Sequence, residues 1–395
     1  MSPSFRGSRL GWTAIAAAAA LTLAACGDSA SGGGSGDPVK IGVAVPLSGP
    51  TASNNVQLSA ELAAKHINEA GGVNGRTIEL VVEDNGATAA TGLTAARKFV
   101  QADVDAVVGY SLTTQNLAVS PVFKTAKVIN LTGTASTANN VEQTDNPYTF
   151  IMNIPDDETA DHQVTFALQE LKAKRFGLLL DSTAFGETYG KLVTPLIEAG
   201  GGSVVVSESV NPDANDLSAQ VGKVVGADVD VVLVALLTPP TVTLMYNELT
   251  KQGAQELPLI AAAATVATFG KSVPWKTAEG TYATYMTDGM YDPTALSATS
   301  KVWFDDQKER GQSPPTDSYA EAYDSFLALA AAIEATGGTD PDKLVDYFKN
   351  LKDFSGWKNL KTVSGPYTCA PTHQCLHTQF MGQVQGEGIK KVVQY

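Results

Sequence analysis

The chain has 395 residues, a formal net charge of −14 at pH 7, three cysteines and four histidines. This length exceeds one domain of ordinary size and is comfortable for two. A chain this acidic offers no basic surface for phosphate backbones, which excludes a nucleic-acid-binding protein, and otherwise the acidity indicates only solubility.

The first 25 residues predict an export signal. Arg6 and Arg9 precede an uncharged run rich in Ala and Leu, residues 10–25, which is shorter than a membrane-spanning helix requires. The motif LAAC, which ends at Cys26, looks like a bacterial lipobox, in which Cys26 is acylated and becomes the new N-terminus. The alternative is an ordinary secretory signal with a chance cysteine.

A stretch rich in glycine and serine follows the lipobox. Residues 29–36 (SASGGGSG) predict a flexible tether, which favours the lipid anchor over a chance cysteine. We therefore expect a signal peptide at 1–25 and a lipid-anchored tether at 26–37, on the outer face of the cytoplasmic membrane. Cleavage removes two arginines and takes the net charge from −14 to −16.

From Val39 the chain alternates buried strands with amphipathic helices. A strand at 39–45 is followed by a helix that ends at a glycine pair and has apolar residues on one face, namely Val56, Ala60, Ala63, Ile67 and Ala70. The pattern then predicts strands at 77–83, 106–108 and 128–131, and helices at 91–101 and 115–125, the last despite an internal proline.

The same alternation restarts after Pro155. The pattern there predicts strands at 176–180, 203–208, 229–237 and 259–261, and helices at 187–199, 217–225 and 241–252. The remainder is mostly helical and then strand-like, with helices at 296–310, 318–335 and 340–351 and strand residues near Phe380 and Val392.

This pattern predicts an α/β fold of two similar lobes, each a parallel sheet flanked by helices. Ligands of such sheets bind where loops leave the carboxyl ends of the strands, and two facing lobes form a cleft. The loops expected to line the cleft follow Val45, Val108, Leu131, Leu180, Ala235 and Ala261.

No sequence motif for an enzyme, a metal or a cofactor is found. A helix-opening GxGxxG, a phosphate-binding GK[ST], a GxSxG elbow and an HExxH pair are all absent. His66 lies beside the apolar stripe of its helix and His162 among polar residues, positions typical of a surface histidine or one satisfied in the core. We expect neither catalysis nor a cofactor.

Small hydroxyl residues follow two strands of the predicted first lobe, at 110–114 and 132–137. Hydroxyls and bare backbone N–H groups at a helix start suit a carboxylate. Loops and helix caps are rich in Ser and Thr in any case, but two such loops at adjacent strand ends favour a binding role.

Two cysteines remain if Cys26 carries lipid. Cys369 and Cys375 form an even pair in an oxidising compartment, which predicts a disulfide. The alternative is a zinc site, because His373 and His377 alternate with them, although the spacing does not match a zinc finger.

Three stretches carry a family resemblance, namely residues 39–50 (VKIGVAVPLSGP), 60–75 (AELAAKHINEAGGVNG) and 181–187 (DSTAFGE). In them the chain resembles the type I periplasmic binding proteins, and among these the branched-chain amino acid (leucine-binding) receptors of ABC importers. It implies three crossings between the lobes, near Pro155, Tyr285 and Ser364. The first lobe is then 38–155 plus 286–363, and the second 156–285 plus 364–395.

The resemblance also implies the ligand site. A ligand carboxylate would meet hydroxyls at Thr113, Thr114, Thr134 and Ser136, and Asp157 would help to hold an ammonium. Departures from the family pattern follow in the second lobe, at Phe185 instead of a hydroxyl-bearing aromatic, Leu237 or Thr238 instead of Tyr, and alanines at 261–264 instead of an acid.

The missing acid bears on the ligand. Removing a partner from a buried charged contact costs roughly 2–5 kcal/mol, so the ligand is expected to lack an α-amino group and to be a small acid or amide with an apolar body. We expect a monomeric, lipid-anchored substrate-binding protein that delivers this ligand to ABC permease subunits. The alternatives are a ligand-sensing subunit for a membrane receptor and an extracellular enzyme.

Overall fold

The structure, a computed structural model, describes residues 36–49, 52–133, 137–153, 155–270, 272–285, 298–310, 320–376 and 379–394. The signal peptide, the expected acylation site Cys26, most of the tether, and the site residues Thr134 and Ser136 lie outside the described residues. Within these ranges, no helix combines the length and the apolar character that crossing a bilayer requires.

The first sheet contains five strands from the first half of the chain. Its strands are β1 (Val39–Val45), β2 (Ile78–Asp84), β3 (Ala106–Gly109), β4 (Ile129–Thr132) and β5 (Thr149–Ile151), and the accompanying helices are α1 (Asn55–Glu69), α2 (Ala89–Gln101), α3 (Thr113–Ala126) and α4 (Val141–Thr144). All neighbouring strands are parallel, in the order β2-β1-β3-β4-β5.

Burial explains why these segments fold as they do. In α1, Val56, Ala60, Ala63 and Ile67 recur at helical spacing and are at most 1% exposed, so one face of the helix packs on the sheet. Strand β1 is instead an almost continuous apolar run in which every residue except Lys40 is buried. Such a run is typical of a parallel strand covered by helices on both faces.

The second sheet begins after Pro155. The elements of this segment are α5 (Asp156–Gln169), β6 (Arg175–Asp181), α6 (Ala184–Ala199), β7 (Ser203–Val210), α7 (Ser218–Gly226), β8 (Val231–Ala235), α8 (Pro239–Lys251), β9 (Leu259–Ala261), α9 (Ala263–Val266) and β10 (Tyr282–Tyr285). Strands β6 to β10 are mutually parallel where they pair.

The last third of the chain contributes to both sheets. Its elements are α10 (Ala298–Glu309), α11 (Ala320–Thr336), α12 (Pro341–Lys349), the hairpins β11 (Gly356–Trp357) with β12 (Leu360–Lys361) and β13 (Thr368–Cys369) with β14 (Cys375–Leu376), and the strands β15 (Phe380–Val384) and β16 (Ile389–Gln394). Helices α10 and α11 pack on α1, and α12 packs on β4. Strands β15 and β16 run antiparallel and complete the second sheet, in the order β16-β15-β10-β9-β8-β6-β7.

The chain therefore passes between the sheets three times, and the third passage comes later than the sequence suggests. The hairpin that ends in β14 joins the edge of the first sheet, since the Ile151 amide donates to the His373 carbonyl at 2.8 Å and Ile151 bridges Gln374. We therefore propose that the third crossing follows Leu376 and does not lie near Ser364. The other lobe boundaries remain as proposed from the sequence.

The disulfide between Cys369 and Cys375 is confirmed, and it closes the β13–β14 hairpin. The alternative zinc site is wrong, because the two sulfurs are bonded to each other. His373 is instead stacked on Phe150, with ring centroids 4.1 Å apart, and its Nδ1 donates to a backbone carbonyl of β5 at 3.1 Å. The disulfide hairpin thus covers the open edge of the first sheet.

Candidate functional site

The carboxyl ends of three strands of the first sheet lie in one row. Gly109 of β3 pairs with Thr132 of β4, and Thr132 pairs in turn with Ile151 of β5. The Thr132 hydroxyl donates to the Tyr110 carbonyl at 2.8 Å, and the Gly133 amide donates to the Gly109 carbonyl at 3.3 Å. The two hydroxyl-rich loops therefore start side by side and are hydrogen-bonded to each other.

The start of the first loop depends on a glycine. Gly109 has φ +127°, and a Cβ there would lie 2.3 Å from the Ala44 carbonyl oxygen of the neighbouring strand. Tyr110 follows with φ 51° and is fully buried, and its hydroxyl donates to the Gly92 carbonyl at 2.9 Å. Burial raises the pKa of Tyr110 above its ordinary value. Its hydroxyl is therefore committed to the interior of the first lobe.

Thr113 and Thr114 are the first two residues of α3. Thr113 is 4% exposed, whereas Thr114 is exposed to solvent. The N-cap of this helix is Leu112, which supplies no side-chain hydrogen bond, and the first turn has no acidic residue. An apolar N-cap costs about 1 kcal/mol relative to Ser, Thr, Asp or Asn, because the first N–H groups of the helix lack that acceptor. This end of α3 is therefore suited to an anion.

The second loop adjoins the first crossing. Thr134 and Ser136 themselves lie outside the described residues, but the preceding Gly133 is held by Asn153, whose Nδ2 donates to the Gly133 carbonyl at 2.8 Å. The Met152 amide donates to the Thr132 carbonyl at 2.9 Å. The loop after β4 and the crossing after β5 are thus fixed to each other.

Of the two acids at the first crossing, the inner one is Asp156. Asp156 is 2% exposed, whereas Asp157 is exposed and accepts a hydrogen bond from the backbone of the next residue, Glu158, at 3.0 Å. Burial, reinforced by the charge of Asp157, raises the pKa of Glu158 above its ordinary value. The residue singled out from the sequence, Asp157, therefore points toward solvent, and its neighbour is the buried carboxylate.

The strand ends of the second sheet present apolar surfaces. Phe185, one residue into α6, is half-buried and packs on the core of this lobe. Leu237 follows β8 and is half-buried, and Ala263 at the start of α9 is exposed. In the described stretch after β9, positions 261–264 are all alanine, so no acid follows this strand.

Thr238 has a structural role in the second lobe. It is 2% exposed, its hydroxyl donates to the Pro212 carbonyl at 3.0 Å, and it lies 2.8 Å from the Thr241 hydroxyl. These contacts join the start of α8 to the loop after β7. Of the two positions considered after β8, Leu237 is therefore the more accessible.

A second buried carboxylate of the second lobe also serves its own fold. Asp181, at the end of β6, is 1% exposed and accepts a hydrogen bond from the Thr183 amide at 2.8 Å. Burial raises the pKa of Asp181 above its ordinary value. Its contact lies at the start of α6, so this acid stabilises the turn that carries Phe185.

The structure adds a residue that the sequence analysis missed. Glu321, in the first turn of α11, is 4% exposed, and its Oε1 lies 2.9 Å from the point where a Cβ on Gly133 would be. A carboxylate distant in sequence therefore lies against the loop after β4. The available signal was an acid in an alanine-rich, otherwise buried helix, where charged residues are rare unless paired.

Helices α3 and α6 approach each other across the two sheets, with Cα atoms within 8 Å. The start of α3, with Thr113 and Thr114, thus belongs to the first lobe, and Phe185 belongs to a helix of the second lobe that lies against α3. The arrangement offers polar groups for an anion on one side and apolar side chains on the other. Among the described residues, no cluster of acidic, histidine or cysteine side chains could hold a metal ion.

Known proteins are similar to this one in sequence and in architecture. A family model described as periplasmic binding protein matches residues 38–389. The chain is 27% identical over 341 residues to Leu/Ile/Val-binding protein homolog 3 of Brucella melitensis, covering 85% of this chain and 88% of that one. It is 26% identical over 314 residues to the leucine-, isoleucine-, valine-, threonine- and alanine-binding protein of Pseudomonas aeruginosa, covering 78% and 82%.

Two solved structures have the same fold. The branched-chain amino acid transporter substrate-binding protein of Streptococcus pneumoniae, in complex with isoleucine, has a TM-score of 0.75 at 23% identity, covering 90% of this chain and 100% of that one. A solute-binding protein of Rhodopseudomonas palustris in complex with p-hydroxybenzoic acid has a TM-score of 0.78 at 20% identity, covering 91% and 97%. With the family match over most of its length, the chain belongs to the periplasmic binding proteins, which are extracytoplasmic substrate-binding proteins and not enzymes, and it has their type I fold.

Proposed function

We propose that this protein is a lipid-anchored, monomeric receptor that binds a small carboxylate with an apolar body and delivers it to the permease of an ABC importer. Cys26 carries the lipid, and the glycine-rich tether lets the folded body reach the permease. The ligand lies between the strand ends of the two lobes, with its carboxylate toward α3 and its body toward the second lobe.

The observation that carries this proposal is the contrast between the two sides of the site. The first turn of α3 has an apolar N-cap, Leu112, and begins with Thr113 and Thr114, so its N–H groups and hydroxyls suit a carboxylate. The second lobe offers Phe185, Leu237 and alanines. A molecule with one anionic end and an apolar body fits both sides.

The same contrast argues against an α-amino acid. A ligand ammonium in a closed site needs paired acceptors, and the loop after β9 offers only alanines at 261–264. The loss of one buried charged contact costs roughly 2–5 kcal/mol, and each 1.4 kcal/mol is a tenfold change in affinity. Of the ligand types named for similar proteins, the absence of an acid after β9 favours the aromatic acid, which has no ammonium, over the branched-chain amino acid.

Isothermal titration calorimetry on the mature chain tests the ligand class. We expect 4-hydroxybenzoate to bind at least about tenfold more tightly than isoleucine, from the loss of one ammonium contact. Tighter binding of isoleucine would contradict the ligand class while leaving the receptor function intact. If neither compound nor related small acids bind, the receptor function itself is contradicted.

A variant pair tests the position of the carboxylate. Thr113→Val combined with Thr114→Val removes two hydroxyls at the start of α3 and should weaken binding of 4-hydroxybenzoate by about tenfold or more, since hydrogen bonds to charged groups contribute about 1.5–3 kcal/mol. The matched control is Thr125→Val, which removes a hydroxyl from the last turn of the same helix, where it donates to the Pro121 carbonyl. Equal affinities in all three proteins would refute the site.

The anchor has a separate test. In a bacterial host, the full chain should partition with membranes and incorporate labelled fatty acid, and Cys26→Ala should lose both properties. Fatty acid incorporation that persists in Cys26→Ala would refute acylation at this residue.

A further inference from the structure

One helix contacts described residues beside each of the three passages of the chain between the two sheets. Helix α5 begins at the first passage, directly after Pro155. Its polar residues Thr159, His162 and Gln163 are spaced i, i+3, i+4, so they share one face. This face, which we call the α5 polar face, forms hydrogen bonds to segments that adjoin the second and the third passage.

Gln163 makes the connection to the second passage. It is fully buried, and its Nε2 donates to the Thr284 hydroxyl at 3.0 Å and to the Ala261 carbonyl at 3.1 Å. Thr284 lies in β10, the last strand before the chain returns to the first lobe. The Tyr189 hydroxyl of α6 donates to Gln163 Oε1. One amide therefore joins α5 to α6 and to the two strands β9 and β10.

Thr159 and His162 make the connection to the third passage. Gln379, directly before β15, donates from Nε2 to the Thr159 hydroxyl at 2.6 Å. Since the amide nitrogen of Gln379 is the donor in that contact, its Oε1 is the acceptor for Nδ1 of His162. Gln379 is 4% exposed, so its hydrogen bond to Thr159 is buried, whereas its contact with His162 is partly buried.

An apolar face of α5, adjacent to the polar one, fixes the helix to the second lobe. Ala160, Val164 and Ala167 are at most 2% exposed and belong to the hydrophobic cluster that contains β6 and β8. The helix is therefore part of the rigid body of this lobe. Whatever is hydrogen-bonded to its polar face moves with that body.

We propose that the α5 polar face is a hinge clamp, which fixes all three passages to the second lobe so that bending between the lobes occurs on the first-lobe side of these contacts. The proposal rests on the proposed function in that a receptor of this kind closes two lobes on its ligand. Gln163 is a positioning residue here, because its contacts are with β9, β10 and α6 and not with the ligand. Without the clamp, β10 and β15 keep their backbone pairing in the second sheet but lose the side-chain hydrogen bonds that hold them to α5.

The test measures the distance between the lobes without any ligand. Two exposed residues, Arg97 on α2 and Glu198 on α6, are replaced by cysteine in the mature chain and spin-labelled, and the distance distribution is recorded by pulsed electron paramagnetic resonance. Cys369 and Cys375 are in the disulfide and do not react, and Cys26 is replaced by serine so that it takes no label. Gln163→Met keeps the volume of the side chain and removes its hydrogen bonds. We expect a broader distribution in this variant.

The matched control removes hydrogen bonds far from the passages. Asn68 exchanges two hydrogen bonds with the backbone of Ile78, at 2.7 and 3.1 Å, at the opposite end of the first sheet from the strand ends. Asn68→Leu should leave the interlobe distribution as in the parent protein. An unchanged distribution in Gln163→Met, or equal broadening in both variants, would overturn the clamp.

A second pair of variants keeps the test decisive if Gln163→Met does not fold. Thr159→Val and Gln379→Met each remove the contact to the third passage, and the same broadening is expected. Hydrogen exchange should then be faster at the start of β15 but not in β1. Because none of these measurements uses a ligand, failure of 4-hydroxybenzoate to bind would count against the proposed function alone, and an unchanged distance distribution would count against the clamp alone.

Discussion

Asp324 should make the stability of this protein fall as the pH rises from about 4 to about 7. This carboxylate of α11 is fully buried and accepts hydrogen bonds from the Val363 amide at 2.6 Å, the Ser364 amide at 2.9 Å and the Tyr367 hydroxyl at 3.0 Å. Burial raises the pKa of Asp324 to about 7, although all three donors act in the opposite direction. Desolvation therefore exceeds hydrogen bonding at this site.

The sign of the effect follows from proton binding. Between the ordinary pKa of 3.8 and the folded value of about 7, the folded state holds a proton that the unfolded state has lost. Stability then decreases with increasing pH across this range and levels off above it. A shift of about three units corresponds to at most about 4 kcal/mol at 1.36 kcal/mol per unit.

Urea unfolding of the parent protein and of Asp324→Asn at pH 5 and pH 8 measures this contribution. The amide resembles the protonated acid and cannot ionise, so all other groups cancel when the two proteins are compared. We expect the stability of the parent relative to the variant to drop by about 2–3 kcal/mol between the two pH values, because the effect accrues only from pH 5 to the folded pKa of about 7. A difference that is the same at both pH values would refute the reasoning.

Two further predictions concern the disulfide hairpin. Cys369→Ser combined with Cys375→Ser should lower the free energy of unfolding by about 2 kcal/mol, as expected for a short closed loop. Reductant should have the same effect on the parent protein. Equal urea midpoints for the parent and the double variant would contradict this. Burial lowers the pKa of His373 to about 4, so the unfolded state binds a proton more readily than the folded state. The parent should therefore lose up to about 3 kcal/mol of stability as the pH falls from 6.5 to 4. His373→Gln should not show this pH-dependent loss when the stability of both proteins is measured by thermal unfolding.

The sequence was sufficient for the α/β alternation but not for every element. Strands such as β1 and β8 are apolar runs bounded by turn residues, and their periodicity identifies them directly. Helix α5 was missed because its first turn contains three acids, Asp156, Asp157 and Glu158, which resemble a polar linker. Strand β5 has only three residues, and its pairing with β4 depends on contacts distant in sequence.

Side-chain direction limited the prediction of the site. The sequence places Thr238 and Asp157 next to strand ends and a crossing, but it does not determine where their polar atoms point. In the fold, the Thr238 hydroxyl satisfies the Pro212 carbonyl within its own lobe, and Asp157 faces solvent beside the buried Asp156. Glu321 reaches the loop after β4 only through the packing of α11 on the first sheet, which no local pattern encodes.

We assign the carboxylate to the first lobe and the apolar body of the ligand to the second, because the two lobes present different kinds of group. In the site we propose, backbone N–H groups at the start of α3 hold an anion whatever the rest of the ligand is, so such a site would tolerate many ligand bodies. Specificity then depends on the second lobe, where Leu237 and Phe185 contribute dispersion and burial, and no acid follows β9 to favour an ammonium. Ala263→Glu introduces an acid after β9 and would be the direct way to shift the ligand preference toward an amino acid, because it supplies a carboxylate that can pair with the ligand ammonium.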